Sequence, residues 1–190
     1  MSEPANVPTP RPPDPITGRG LRFRPIAAGD AEALYAGWTS LPEAMHYLPW
    51  RAHTELRETA DFIAQAALDW QSGVKYRFAV TEGDDARTLV GFGMLKVEEE
   101  CRAEVGFVVF PEQRGRGIAA RIAGALSDWA LEQPAIWRVY GICDVDNIGS
   151  ARAMERAGFL CEGRWARWGM CPNIGREPRD VFCYVRIRAT

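Results

Sequence analysis

Apolar positions follow two rhythms along the chain, and each change of rhythm marks an element. Residues 21–26 alternate, with Leu21, Phe23 and Ile26 set between Arg22 and Arg24, which predicts a strand closed near Pro25. Asp30 is placed to cap a short helix through Trp38, with Ala33, Leu34 and Trp38 inward. Residues 41–50 hold two prolines and several large rings, too broken for a long element. Thr54 can cap a helix over 55–71, where Leu56, Ala60, Ile63, Ala67 and Trp70 recur at helical spacing and Gly73 stops the run. Strands over 76–81 and 89–97 flank the Gly83-Asp84-Asp85 turn and predict a hairpin. After an acidic turn at 98–100, a strand over 103–110 returns antiparallel to its predecessor.

Helical spacing resumes at Ile118, Ile122, Leu126 and Trp129, and Pro134 precedes a strand over 137–144. Strand, helix, strand is a right-handed crossover, so these two strands should be parallel. Asn147 and Ser150 open a short helix that ends at Ala157 before Gly158. An edge strand over 159–164, a long polar loop with Trp165, Trp168, Pro172 and Pro178, and a last strand over 180–187 complete the chain. Residues 1–20 carry prolines at 4, 8, 10, 12, 13 and 15 and read as a disordered or extended tail, which leaves one domain over 21–190.

The stretch 104–130 carries the chemistry. A buried apolar run ends at Pro111, the loop Gln113-Arg114-Gly115-Arg116-Gly117 follows, and a helix begins. Helix-initial N–H groups lack intrahelical partners, the macrodipole adds positive charge there, and glycine lets backbone approach a ligand. Together they make an anion cradle, with Arg114 and Arg116 adding charge beside it. No Lys and no Ser or Thr follows Gly117, which excludes a Walker loop. Gly115, Gly117 and Ala120 fit a dinucleotide fingerprint, but its acidic partner after a second strand is missing; Glu132, the nearest candidate, sits at a helix end.

Bulk properties narrow the classes. The chain has 190 residues, 47% of them apolar and 25% charged, as an ordinary globular domain has. A net charge of −2 does not suit a protein that coats nucleic acid. No apolar run reaches membrane-spanning length, and no signal peptide is visible at the start. The 5 cysteines include no C-x-x-C and the 2 histidines make no zinc set, so no metal is expected; free thiols in a reducing cytoplasm are, with Cys143 and Cys183 as small core residues.

Arg114, Gly117 and Ala119 also fit [QR]-x-x-G-x-[GA], and with this loop the sequence resembles the GNAT superfamily of acyl-CoA-dependent N-acetyltransferases. Residues 20–188 are similar to its RimJ/RimL-like branch in the opening LRFRPIAAGDAEALYAGW, in MHYLPW, in Ala103-Glu104-Val105-Gly106-Phe107, and in Asn147 to Ser150 followed by Gly158-Phe159 and Glu162-Gly163. The resemblance implies an α/β (α+β) fold: about seven mostly antiparallel strands, a splayed central parallel pair and flanking helices. It implies acetyl-CoA as co-substrate, with its pyrophosphate on the backbone of Arg114, Gly115, Arg116, Gly117, Ile118 and Ala119. The pantetheine arm would bond the backbone of Phe107, Val108 and Val109. Glu104 is then the candidate base and Ser150 the candidate hydroxyl for the leaving sulfur, with Asn147 beside the cofactor. Tyr47, Trp50, Glu162, Trp165 and Trp168 would line the acceptor mouth.

Each residue has a structural alternative: Glu104 as a surface partner of Arg102 or of a neighbouring strand, Ser150 and Asn147 as helix caps, and the rings as loop-to-loop packing. The implied acceptor is a peptide N-terminal amine or a small amine, met by a monomer or homodimer. An antibiotic or polyamine acetyltransferase, a non-catalytic acyl-CoA sensor and a nucleotide-dependent oxidoreductase are the competing readings.

Overall fold

Each alternating segment has one face of large apolar side chains that needs cover, and the strands meet that need in a single sheet with helices on its faces. A computed structural model describes residues 10–83, 87–98 and 101–189. The strands are β1 (Ile16–Gly18), β2 (Leu21–Pro25), β3 (Lys75–Glu82), β4 (Leu89–Glu98), β5 (Arg102–Val109), β6 (Arg138–Asp144), β7 (Leu160–Met170) and β8 (Pro178–Ile187). They lie in the order β1-β2-β3-β4-β5-β6-β8-β7. All neighbours are antiparallel except β5 and β6. The helices are α1 (Ala31–Leu34), α2 (Pro42–Met45), α3 (Leu56–Ser72), α4 (Ile118–Glu132) and α5 (Ile148–Arg156), with a π-helical turn, Tyr35–Thr39, after α1.

The two faces of the sheet bury separate cores. On one, Val105 and Leu95 meet Ile118, Ile122 and Leu126 of α4. On the other, Phe92 and Val108 meet Leu34, Trp38, Ile63 and Ala66. Alternation along β5 therefore sends Phe107 and Val109 toward α4 and Val108 toward α3. Only three residue pairs join β5 to β6: Arg102 with Arg138, Ala103 with Val139 and Glu104 with Tyr140. Beyond Glu104 the parallel strands part, while β4 follows β5 to Val109 and β8 follows β6 to Asp144. The result is a wedge-shaped gap in the middle of the sheet.

Several expectations need correction. Ile16–Gly18 is a strand rather than part of a tail; buried Ile16 pairs with Phe23, and that apolar contact outweighs the surrounding prolines. The segment after Arg164 is strand to Met170, not loop. Two register irregularities, at Cys161/Gly163 and Trp165/Gly169, break its alternation and disguise it. On α3, Leu56, Ala60 and Ala67 are exposed, and the inward face is Thr59, Phe62, Ile63, Ala66 and Trp70. Phe62 sets that rotation by joining Trp38, Trp50 and Phe92, and buried Thr59 is satisfied by the Thr39 hydroxyl at 2.7 Å. Neither expected cap acts as one. Asp30 binds Arg24 at 2.6 and 2.7 Å, and the N-cap of α3 is Glu55 rather than Thr54. The prolines at 4 and 8, Asp84, Asp85 and the end of the acidic turn at 99–100 lie outside the described residues.

Candidate functional site

The glycine loop stands at the open end of the gap on the β5 side. Gly115 and Gly117 have φ of 81° and 73°, a region that costs a side chain strain, and Gly117 is the N-cap of α4. A Cβ on either would meet nothing within 4 Å, so glycine is required here for backbone direction rather than for room. Among the described residues, no loop or cap carbonyl accepts from the N–H groups of residues 115–120. The Ile118 side chain is buried in the α4 core, which leaves its backbone for a ligand. Arg114 reaches the Glu43 carbonyl at 3.4 Å, whereas Arg116 is bound by Gln113 and Glu82. Hydrogen bonds from Arg121 and Arg116 hold the Glu82 carboxyl below its ordinary pKa.

The β6-facing edge of β5 has no strand partner past Glu104. Outward amides at the loop and an unpaired strand edge below it fit an elongated ligand with an anionic head.

Glu104 marks the closed end of the gap. It is half-buried, and among the described residues its carboxylate has neither hydrogen bond nor ion pair. Burial lifts its pKa above the ordinary value; Lys96 and Lys75 pull it back and Glu98 adds to the rise. The alternative, a pairing with Arg102, is absent among the described residues, where Arg102 bonds Glu98 at 2.8 Å. Tyr140, opposite Glu104 in register, donates its hydroxyl to Glu98 at 3.1 Å. Burial, with Glu104 and Glu98 nearby, pushes that phenol upward, so Tyr140 stays neutral.

On the β6 side, Asn147 caps α5 by accepting the Ser150 N–H at 3.1 Å. The Ser150 hydroxyl makes no hydrogen bond among the described residues. Just before them, buried Asp144 is clasped by Arg179, which also binds Asp146. Burial alone would raise the Asp144 pKa, but the Arg179 guanidinium holds it below the ordinary range.

The expected acceptor residues separate into two groups. Tyr47 donates to the Asp146 carbonyl at 3.2 Å, and Trp50 packs in the α3-side core with Trp38 and Phe62, so both lie in the segment beside the gap. Glu162, Trp165 and Trp168 are on β7, with β8 between that strand and β6. Glu162 is bound by Arg138, and the two indoles pack on each other with centroids 4.6 Å apart. These three therefore stand apart from Tyr47 and Trp50, across β8 from β6.

Sequence reasoning missed Tyr140, Glu98 and Asn173. The first two become visible only through cross-strand register, and Asn173 sits in a loop whose partners are distant in the chain. Among the described residues, no helix is long and apolar enough to cross a membrane.

The described sheet is thus split at its parallel pair, with a helix-capping glycine loop at the split. The chain belongs to the acetyltransferase (GNAT) domain family, whose model matches residues 20–160, and is accordingly an acyltransferase. It is similar to the uncharacterized N-acetyltransferase YnaD of Bacillus subtilis, 26% identical over 170 residues, which cover 90% of this chain and 95% of that one. A GNAT-family acetyltransferase from Bacillus anthracis superposes with a TM-score of 0.77 at 25% identity, covering 91% of this chain and 98% of the other. The fold is also that of RimL, a ribosomal L7/L12 α-N-protein acetyltransferase solved with coenzyme A, at a TM-score of 0.79 and 21% identity, covering 92% of this chain and 98% of that one.

Proposed function

We propose that the protein transfers an acetyl group from acetyl-CoA to the free N-terminal α-amine of a peptide or protein. The observation that carries this reading is Glu104: a half-buried carboxylate, raised in pKa and uncommitted, at the closed end of the gap. A base poised in this way can take a proton from an ammonium-bearing acceptor, directly or through one water. Acetyl-CoA, when bound, supplies the activated thioester.

This chain's residues hold and orient. Backbone amides of Arg114, Gly115, Arg116, Gly117, Ile118 and Ala119 take the pyrophosphate. The open edge at Phe107, Val108 and Val109 takes the pantetheine arm as an added strand. The Ser150 hydroxyl, uncommitted in this structure, gives a proton to the leaving thiolate, and Asn147 holds the first turn of α5 in place. Tyr47 and Trp50 form the acceptor wall. RimL acts on a protein α-amine, which supports this acceptor class. So does local charge: Lys75 and Lys96 flank Glu104, and a polycationic acceptor would meet like charges there.

Calorimetric titration with acetyl-CoA, with NAD as control, is the first test. Micromolar binding of acetyl-CoA alone is expected, followed by acetylation of peptides with free α-amines in preference to spermidine or an aminoglycoside. Folded protein that ignores acetyl-CoA would overturn the reading. Preferred turnover of spermidine would overturn the acceptor class. Gly117→Val forces a β-branched residue into left-handed backbone at a cost of about 1–2 kcal/mol. It should weaken acetyl-CoA binding by roughly 5–30-fold in the same titration. Ser150→Ala should lower kcat by at least tenfold with acetyl-CoA affinity unchanged, as read by stopped-flow thiol release.

A further inference from the structure

We propose that Asn173 is a positioning residue for the acceptor, because its side-chain amide holds segment 45–52 as a strap across the open end of the gap. The proposal rests on the reading of Tyr47 and Trp50 as the acceptor wall.

The geometry is unusually complete for a loop side chain. The Asn173 Nδ2 group donates to the carbonyls of Met45 at 2.6 Å, Trp50 at 2.8 Å and Leu48 at 3.5 Å. Its Oδ1 accepts the Ala52 N–H at 3.2 Å. One amide thus ties down both ends and the middle of a segment 121–128 residues away in the chain. The bonding needs two donors and an acceptor on one short side chain, which among natural residues of this length only Asn supplies. An Asp could still accept from Ala52, but it could give nothing to the three carbonyls. The loop that presents Asn173 is itself turned by Ile174 and Gly175 N–H groups on the Cys171 carbonyl.

The strap reaches both sides of the gap. On the β5 side, Leu48, Trp50 and Ala52 pack against the core that contains Phe92, Met94 and Val108. On the β6 side, the Tyr47 hydroxyl bonds the Asp146 carbonyl just past the strand, and the Cys171 thiol contacts the Tyr47 carbonyl at 3.5 Å. Segment 45–52 therefore lies over the face that carries Glu104, and Asn173 is the tether that links it to the β7–β8 loop. Asn173 itself shares no bond with the glycine loop or the β5 edge; the strap's nearest link to the loop is the 3.4 Å contact of Arg114 with the Glu43 carbonyl, two residues before Met45. The expected consequence falls on the acceptor and not on acetyl-CoA.

The test compares wild type with Asn173→Ala, Asn173→Asp and Tyr47→Phe. Hydrogen exchange should quicken at least tenfold at the amide of Leu48 in both Asn173 variants and at that of Ala52 in Asn173→Ala, while protection along β5 and α4 stays within twofold. Acetyl-CoA dissociation constants should stay within twofold. With a hexapeptide bearing a free N-terminal serine as acceptor, KM should rise at least tenfold and kcat change less than threefold. Tyr47→Phe, which cuts the other tether, should raise KM by a smaller factor. Unchanged exchange in segment 45–52 would overturn the proposal. So would Asp at 173 behaving as wild type, or a parallel loss of acetyl-CoA and acceptor binding with protection falling throughout the sheet. If wild type does not acetylate the peptide, the acceptor class fails on its own, and hydrogen exchange still decides the role of Asn173.

Discussion

Glu104→Gln should lower kcat by about 10²–10⁴-fold, the range typical of a lost general base. The amide has the shape of the carboxyl, so acetyl-CoA affinity should stay within twofold by calorimetry. Burial raises the Glu104 pKa, and the residue must be ionised to act as a base. Activity therefore falls as pH drops through that raised value, with an acid limb above the usual glutamate range. The glutamine variant should lose this limb. Stability should move the other way. A pKa raised on folding gives stability that is present below the unfolded value and lost as pH rises through the folded one. At neutral pH the ionised, half-buried carboxylate is thus a liability, and Glu104→Gln should unfold at a slightly higher temperature than wild type. A variant that keeps wild-type kcat would assign Glu104 a structural role.

Trp38→Ala should cost about 3–5 kcal/mol of folding free energy, at the upper end for a core truncation. Trp38 has no exposed surface, and its ring meets Phe92 with centroids 4.5 Å apart, Phe62 at 5.7 Å and Trp50 at 6.4 Å. The ring bridges the sheet face, α3 and the strap, so the void cannot be filled by small shifts. Urea unfolding would show a lower midpoint with little change in slope. Domains of this kind have about 5–15 kcal/mol in total, so the variant should fold at 25 °C while losing much of its margin. A loss below about 1 kcal/mol would mean that the cluster relaxes around the void.

The long, regular elements were legible because their cause is local. Ile118, Ile122 and Leu126 repeat at helical spacing, and the apolar run through Val105 and Val109 has no other use than a central strand. The glycine loop was legible too, since left-handed glycines before a helix have few purposes. What was hidden depends on the third dimension. Ile16 reads as one apolar residue among prolines until Phe23 is opposite it. The strand character of residues 165–170 is masked by two bulges, which shift Trp165 and Gly169 out of simple alternation. Asn173 between Pro172 and Ile174 looks like a turn residue, because its partners are contributed by residues 45–52. Tyr140 gains its meaning only from parallel register with Glu104. Trp165 and Trp168 drew attention as large rings in an apparently irregular segment, and on β7 they satisfy each other.

The gap has a meaning for the chain as it folds as well as for the finished site. Where β5 and β6 part, two strand edges with unsatisfied ladders face each other in the interior of a sheet. Edges of that kind recruit strands from other chains. Here they are flanked by β4 and β8, floored by α4 and crossed on the opposite face by the strap. The elements that shape the ligand's berth also shield the nascent protein from intermolecular strand exchange. Loosening the strap therefore adds an interior template for aggregation to the two outer sheet edges at β1 and β7.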